Sequence, residues 1–277
     1  MKHNKQGLRR KIKSVNATKK ITSAMELIAT SKLGKQKSIM FANQAYASNF
    51  KDMVYDILVN TSEDENIYTK SNPNLPRLVI VLGSDLGLCG GYNINMVKLL
   101  QSDLLPTDEV ITIGLRIQRM LKHRNVNVKN ELRSDGLQYS DIRNLLLEAV
   151  EAYNKRELGA ISLVYTKFIN SVDFRPVIQQ LLPITAEEKT KSNTYVEFSP
   201  SCSVILEQLM PMYISSMVYS SYIETKTSEQ ASRRIAMENA TDNAEELREK
   251  YVLQYNQARQ AAITQEISEI VGGANAL

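Results

Sequence analysis

The stretch LVIVLGSDLGLCGGYN, residues 78–93, is where chemistry is most readily imagined in this chain. An apolar strand that runs into a glycine-rich loop, and then into a helix starting near Asn93, can hold phosphate on backbone N–H groups. Here the glycines at 83, 87, 90 and 91 miss the GxGxxG spacing, and no Gly-Lys-Ser/Thr follows to supply a phosphate-binding lysine and a metal-binding hydroxyl. Tight turns and close packing of helix on sheet account for the same glycines. Cys89 and Cys202 form no CxxC pair, His3 and His123 stand apart, and neither a GxSxG elbow nor HExxH occurs. The carboxylates lie mostly in helical runs beside Lys or Arg, as in EELREK at 245–250, which reads as a solvated helix face with intrahelical pairs. No catalytic, cofactor-binding or metal-binding residue is assigned, and a non-enzyme is expected.

Charge is distributed unevenly. Residues 1–37 carry eleven Lys and Arg against Glu26 alone, so this segment is +10 in a chain whose total is +4, and the remainder is −6. Nucleic acid, an anionic membrane and an acidic protein surface all attract such a segment through the same screened Coulomb force. The basic start is not followed by an apolar run, and no run of about 18 apolar residues occurs, so a signal peptide and a direct membrane span are not expected.

The elements that would position these residues are marked by glycine and proline. From Leu8 to Asn72 there is one glycine, Gly34, and no proline, and from Met212 to Val271 there is neither. Two long helices follow, since both residues punctuate helices. The second stretch, if helical throughout, reaches roughly 90 Å at 1.5 Å per residue, so it needs a partner along its length. Met237, Ala240, Ala244, Leu247, Tyr251, Tyr255, Ala258 and Ala262 recur in steps of three and four and form a coiled-coil seam. A less regular stripe in the first stretch comprises Leu8, Ile12, Val15, Met25, Ile28 and Leu33, with Thr18 and Thr22 as interruptions. An antiparallel pairing of the two helices is the cheapest solution, because the chain between them raises their effective concentration.

Between the helices, short Val- and Ile-rich runs alternate with helical segments. Residues 78–82, 110–113, 126–128 and 161–165 read as strands, and 93–105, 115–123 and 140–156 as helices, which argues a mostly parallel sheet covered by helices. The expected organisation is an N-terminal shaft helix at 1–60, a linker at 61–76, a central Rossmann-like α/β domain at 77–190, a linker at 191–204 and a C-terminal shaft helix at 205–277. The last segment, ARQAAITQEISEIVGGANAL, sets Ile263, Ile267, Ile270 and Val271 among Arg259, Gln260, Thr264, Gln265, Glu266 and Glu269. It suits either a snug seat inside a partner or an ordinary amphipathic helix ended by Gly272 and Gly273.

SVNATKKITSAMELIATSKL at 14–33, GLCGGYN at 87–93, KFINSVDFRPVIQQLLPI at 167–184, SEQASRRIAMENATDNA and YNQARQAAITQEISEIVGGANAL together resemble the γ subunit of F-type ATP synthases, in order and over essentially the whole chain. The resemblance implies a non-catalytic rotor: a shaft of the two terminal helices seated in a ring of three α and three β subunits, with the α/β domain below engaging ε and the membrane c-ring. It further implies that Arg259, Gln260, Thr264, Glu266 and Glu269 touch the β subunits near the top of the shaft. Met25, Lys32 and Arg233 would lie near acidic β segments, and the protein as a whole would be a peripheral one at the cytoplasmic face of a bacterial membrane. Two positions depart from the family's pattern: Ala17 stands where SVxNTxKIT has asparagine, and Leu86 where DRGLCGG has arginine. Two other outputs stay open at this point, a rotor of an F-type-like ATPase that drives another machine, and a basic coiled-coil nucleic-acid-binding protein.

Overall fold

The computed structural model describes residues 2–59, 67–70, 72–124, 126–184 and 201–274. Much of the two expected linkers, at 61–66, 71 and 191–200, lies outside the described residues, as do the side chains of residues 2–4 and 273–274. Two helices account for most of the rest of the chain outside the sheet domain: α1 (Lys2–Val59) and α5 (Cys202–Ala274). The chain divides into two compact units, one of Met1–Thr30 with Arg233–Leu277 and one of Ser31–Ser232.

In the first unit α1 and α5 run antiparallel, since their contacts pair rising numbers with falling ones: Lys11 with Tyr251, Lys19 with Glu245, Thr22 with Thr241. Leu8, Ala29, Met237 and Ala244 are buried between them, and Tyr251, Tyr255, Ala258 and Ala262 are half-buried. Small side chains at these sites let the backbones come close. Two expectations about the seam need correcting. Ile28 is 56% exposed and Leu247 44% exposed, with Ala29 buried and Arg248 half-buried beside them, because one residue is about 100° of rotation on a 3.6-residue turn. Thr22, expected to interrupt the stripe, is buried within it.

The second unit is built on a five-stranded sheet: β1 (Arg77–Leu82), β2 (Glu109–Ile113), β3 (Val128–Leu132), β4 (Ala160–Phe168) and β5 (Phe174–Leu182), in the order β3-β2-β1-β4-β5. The first four strands are parallel and are joined by α2 (Tyr92–Asp103), α3 (Leu115–Lys122) and α4 (Tyr139–Asn154), the right kind of connection for strands that cannot share a tight turn. Both faces are covered, which is why the central strands carry consecutive rather than alternate apolar residues, as in Leu78–Leu82 of β1. Val79, Val81 and Val110 pack with α2 and α3 through Met96, Leu100, Ile117 and Leu121. Leu78, Ile80, Leu82 and Ile113 face the other way, against Ile142 and Leu146 of α4, Val54 and Leu58 of α1, and Met210 and Ile214 of α5.

Strand β5 is the element that the alternation of strands and helices did not announce. It pairs antiparallel with β4 through a tight connection in which the Asn170 side chain accepts from the Val172 and Asp173 N–H groups. Pro176 fits there because β5 is an edge strand, where a missing donor disturbs no further ladder. The other edge, β3, has an irregular register at Val110/Ile111, and the Asn130 side chain takes the Glu131 N–H itself. Both edges are thereby blunted against pairing with another chain. Helix α5 begins at Cys202, where a start at 205 was expected; Pro211 lies inside it, among the buried Met210, Tyr213 and Ile214 that hold this stretch to the sheet.

Candidate functional site

The glycine-rich loop follows β1 at the carboxyl ends of the parallel strands. This is where open α/β sheets hold ligands, at the point where strand order reverses between β1 and β4. Residues 222–232 of α5 occupy that end of the sheet. Thr225 O accepts from the Tyr92 hydroxyl (3.2 Å), Ser228 donates to Thr166 O (3.1 Å), Ser232 donates to Cys89 O (2.7 Å), and the Phe168 N–H donates to Glu224 (2.9 Å). The Tyr222 hydroxyl donates to Ser134 O at 2.7 Å. Thr225, Thr227, Ser228 and Glu229 are all buried, and Lys226 pairs with Glu229 at 3.4 Å. Burial holds the Glu224 carboxyl above its ordinary range, against the lowering effect of the Phe168 N–H and of Lys167.

Two glycines make the close approaches possible. A Cβ on Gly83 would sit 2.5 Å from Ile117 Cγ2, and Gly114, at φ +127°, would place one 2.7 Å from the Gly83 backbone. Asp85 then fastens the loop. Its Oδ1 accepts from the Leu115 and Ser134 N–H groups at 2.9 Å, and its Oδ2 from the Asp135 N–H at 2.7 Å. Burial alone would raise this carboxyl, but those three donors and nearby Lys226 outweigh it and hold it below its usual value. The loop's outer side is apolar: Leu86 is 71% and Leu88 63% exposed, Leu88 with a left-handed φ of 61°.

The helix pair carries the other candidate surface. Glu245 accepts from Lys19 (2.7 Å) on α1 and from Arg248 (2.7 and 3.0 Å) on its own helix. Those hydrogen bonds, Arg248 first and Lys19 second, hold the Glu245 carboxyl down at about 2. Thr241 Oγ1 lies 2.8 Å from both Thr22 Oγ1 and the Met237 carbonyl, and Thr22 donates to the Lys19 carbonyl at 3.1 Å. These polar contacts fix the register of two otherwise small-residue surfaces. They were not singled out from the sequence, although a threonine at a seam position is the kind of signal that marks one.

Of the residues singled out, Arg259, Gln260, Thr264, Glu266 and Glu269 share the last turns of α5, all exposed. Ile263, Ile267, Ile270 and Val271 are exposed with them, and Gln265 donates to Glu269 at 2.9 Å. Met25 and Arg233 are half-buried in the first unit, whereas Lys32 is exposed on the part of α1 in the second. The sequence-based set is thus three groups of residues.

A family model described as "ATP synthase" matches residues 4–277. The chain is 39% identical over 275 residues to an ATP synthase gamma chain of Clostridium kluyveri, covering 98% of this chain and 97% of that one. It is 38% identical over 277 residues to the gamma chain of Mesoplasma florum, with 99% of each covered. Among solved structures, the rotor of the Euglena gracilis mitochondrial ATP synthase superposes with a TM-score of 0.70 at 18% identity, over 95% of this chain and all of that one. The central stalk and c-ring structure of the Tetrahymena thermophila mitochondrial ATP synthase contains a chain that superposes with a TM-score of 0.60 at 22% identity, over 79% of this chain and 99% of that one.

Proposed function

The chain belongs to the ATP synthase gamma-chain family, and on that premise we propose that it couples a ring of three α and three β subunits to an ion-translocating c-ring by rotating between them. It is a rotor subunit and not a catalytic one. The observation that carries the reading is the full-length match to gamma chains, which includes both the paired helices and the α5 end with its row of unpaired apolar side chains.

In this reading the exposed end of α5, with Arg259, Gln260, Thr264, Glu266 and Glu269, sits against the β subunits. Met25, Lys32 and Arg233 meet acidic β segments, and the α/β domain engages ε and the c-ring. The basic start of α1 supports the second contact: Arg9, Arg10, Lys13 and Lys20 line one continuous surface. Exposed ion pairs are worth only about 0–1 kcal/mol each, so such contacts guide a turning part without locking it. Closure of β on ATP in sequence would turn the asymmetric shaft, and forced rotation would open β, since coupling between sites is reciprocal. None of the described helices is long and apolar enough to cross a membrane, and the chain is proposed to reach the cytoplasmic face of a bacterial membrane through its partners.

Native mass spectrometry of the complex recovered with this chain under mild detergent tests the proposal. The expected mass fits three α, three β, one copy of this chain and a c-ring. An α and β ring without any c-ring would assign the motor a different output, and absence of both α and β would defeat the reading.

A further inference from the structure

Between α4 and strands β1 to β3 lies a cavity of about 350 Å³ whose floor is Leu78, Ile111, Leu145, Ala149 and Leu158. It exists because α4 presents Ala149 and Ala152 to this part of the sheet, and side chains that small leave a hollow over Leu78 and Ile111, which keep only a few per cent of their surface exposed. Its rim is charged. Glu109, Glu148 and Glu157 line it together with a single cation, Lys129, whose Nζ is 2.8 Å from Glu109. Lys129 neutralises Glu109, and Glu148 and Glu157, both exposed, leave two negative charges unmatched around an apolar hollow.

We propose that this cavity binds an amphipathic organic cation of the short aliphatic diamine or polyamine class. Its volume falls in the range of small-molecule sites, roughly 300–1,000 Å³, and its lining combines an apolar body with a few polar groups at one end, as such sites do. A methylene chain in the hollow covers the half-buried Leu145 and the last exposed edges of Ile111 and Leu158 at no polar cost, and an ammonium at each end meets Glu148 or Glu157. A hard metal ion fits poorly, since it needs several converging oxygen ligands and here half the lining offers none. The inference is independent of the rotor assignment.

The test is a methyl NMR titration of the full-length chain, labelled at Ile and Leu methyls, with 1,4-diaminobutane. The Ile111 and Leu145 resonances should shift saturably, and less so as salt is raised. Glu148→Gln with Glu157→Gln, both surface changes, should raise the Kd between about threefold and thirtyfold. Lys129→Ala should lower it, because Glu109 becomes free to bind, a gain that structural damage would not produce. No saturable shift, the same shift with Mg²⁺ at matched ionic strength, or an unchanged Kd in the double variant overturns the proposal. Tighter binding of N-acetyl-lysine amide than of the diamine also overturns it, in favour of a lysine from a partner protein.

Discussion

Replacing Asp85 separates two things that this carboxylate does, accepting hydrogen bonds and carrying charge. Three backbone N–H groups, from Leu115, Ser134 and Asp135, converge on it. Hydrogen bonds to a charged group are worth about 1.5–3 kcal/mol each, but Asp85 is half-buried and water can replace part of what is removed. Asp85→Ala should therefore cost about 3–4 kcal/mol rather than the full sum. Asp85→Asn keeps the Oδ1 acceptor for Leu115 and Ser134 but turns an N–H toward that of Asp135, and should cost about 1.5–2 kcal/mol. Because the folded carboxyl is held below its ordinary range, its contribution is fully present above about pH 3.9 and is lost as pH falls through the folded value. Urea denaturation followed by far-UV circular dichroism, at pH 7 and in steps down to about pH 3, reads both effects. Wild type should exceed Asn and Asn should exceed Ala at pH 7, with the gap between wild type and Ala closing on acidification. Equal losses in the two variants, or a gap that does not change with pH, would refute the reasoning.

Three further outcomes are expected. Thr22→Val and Thr241→Val should each destabilise the helix pair by about 1 kcal/mol, and a double-mutant cycle should return a coupling of roughly 0.5–1.5 kcal/mol between them, measured by thermal unfolding. Glu224→Gln keeps an acceptor for the Phe168 N–H and removes a carboxyl that burial holds high. The wild type enjoys full stability below the ordinary glutamate range and loses some as pH rises through the folded value, so the variant should be the more stable at pH 8 and no more stable at pH 4, by urea midpoint. Deleting residues 268–277 should weaken torque in single-molecule rotation and recovery of the assembled complex, while the α/β unit keeps its circular dichroism and melting behaviour; undiminished torque would remove the α5 end from the contact with β.

Much of this fold was legible in the chain because long-range order here follows local periodicity. The stripe from Met237 to Ala262 needs only 3.6-residue spacing to be read, and the Val- and Ile-rich runs at 78–82, 110–113 and 161–165 coincide with β1, β2 and β4 to within a few residues. Strand β5 escaped because FRPVIQQLL carries a proline and two adjacent glutamines, and only its place at the edge makes those tolerable. Ile28 and Leu247 were misread for a geometric reason: an apolar residue one position from a seam looks the same as one in it until a partner fixes the rotation. The polar face of α5 from Glu224 to Ser232 could not be recognised as buried, because Glu224, Ser228 and Ser232 find their partners in Phe168, Thr166 and Cys89, which are between 56 and 143 positions away in the chain. The residues expected to meet the β subunits came from resemblance, since an exposed helix end bears no mark in its own sequence of what it touches.

The position of α5 at the carboxyl end of the sheet has a consequence for how the domain can be controlled. An open α/β domain that closes on a diffusible molecule is empty or full according to that molecule's concentration, and can be switched by it. Here the occupant is a stretch of the same polypeptide, so its effective concentration is set by the covalent connection and not by the cell. Occupancy cannot be titrated, competed away at ordinary concentrations or left waiting for a metabolite. A domain of this kind gives up responsiveness and gains a grip on its own helix that does not depend on the supply of a ligand.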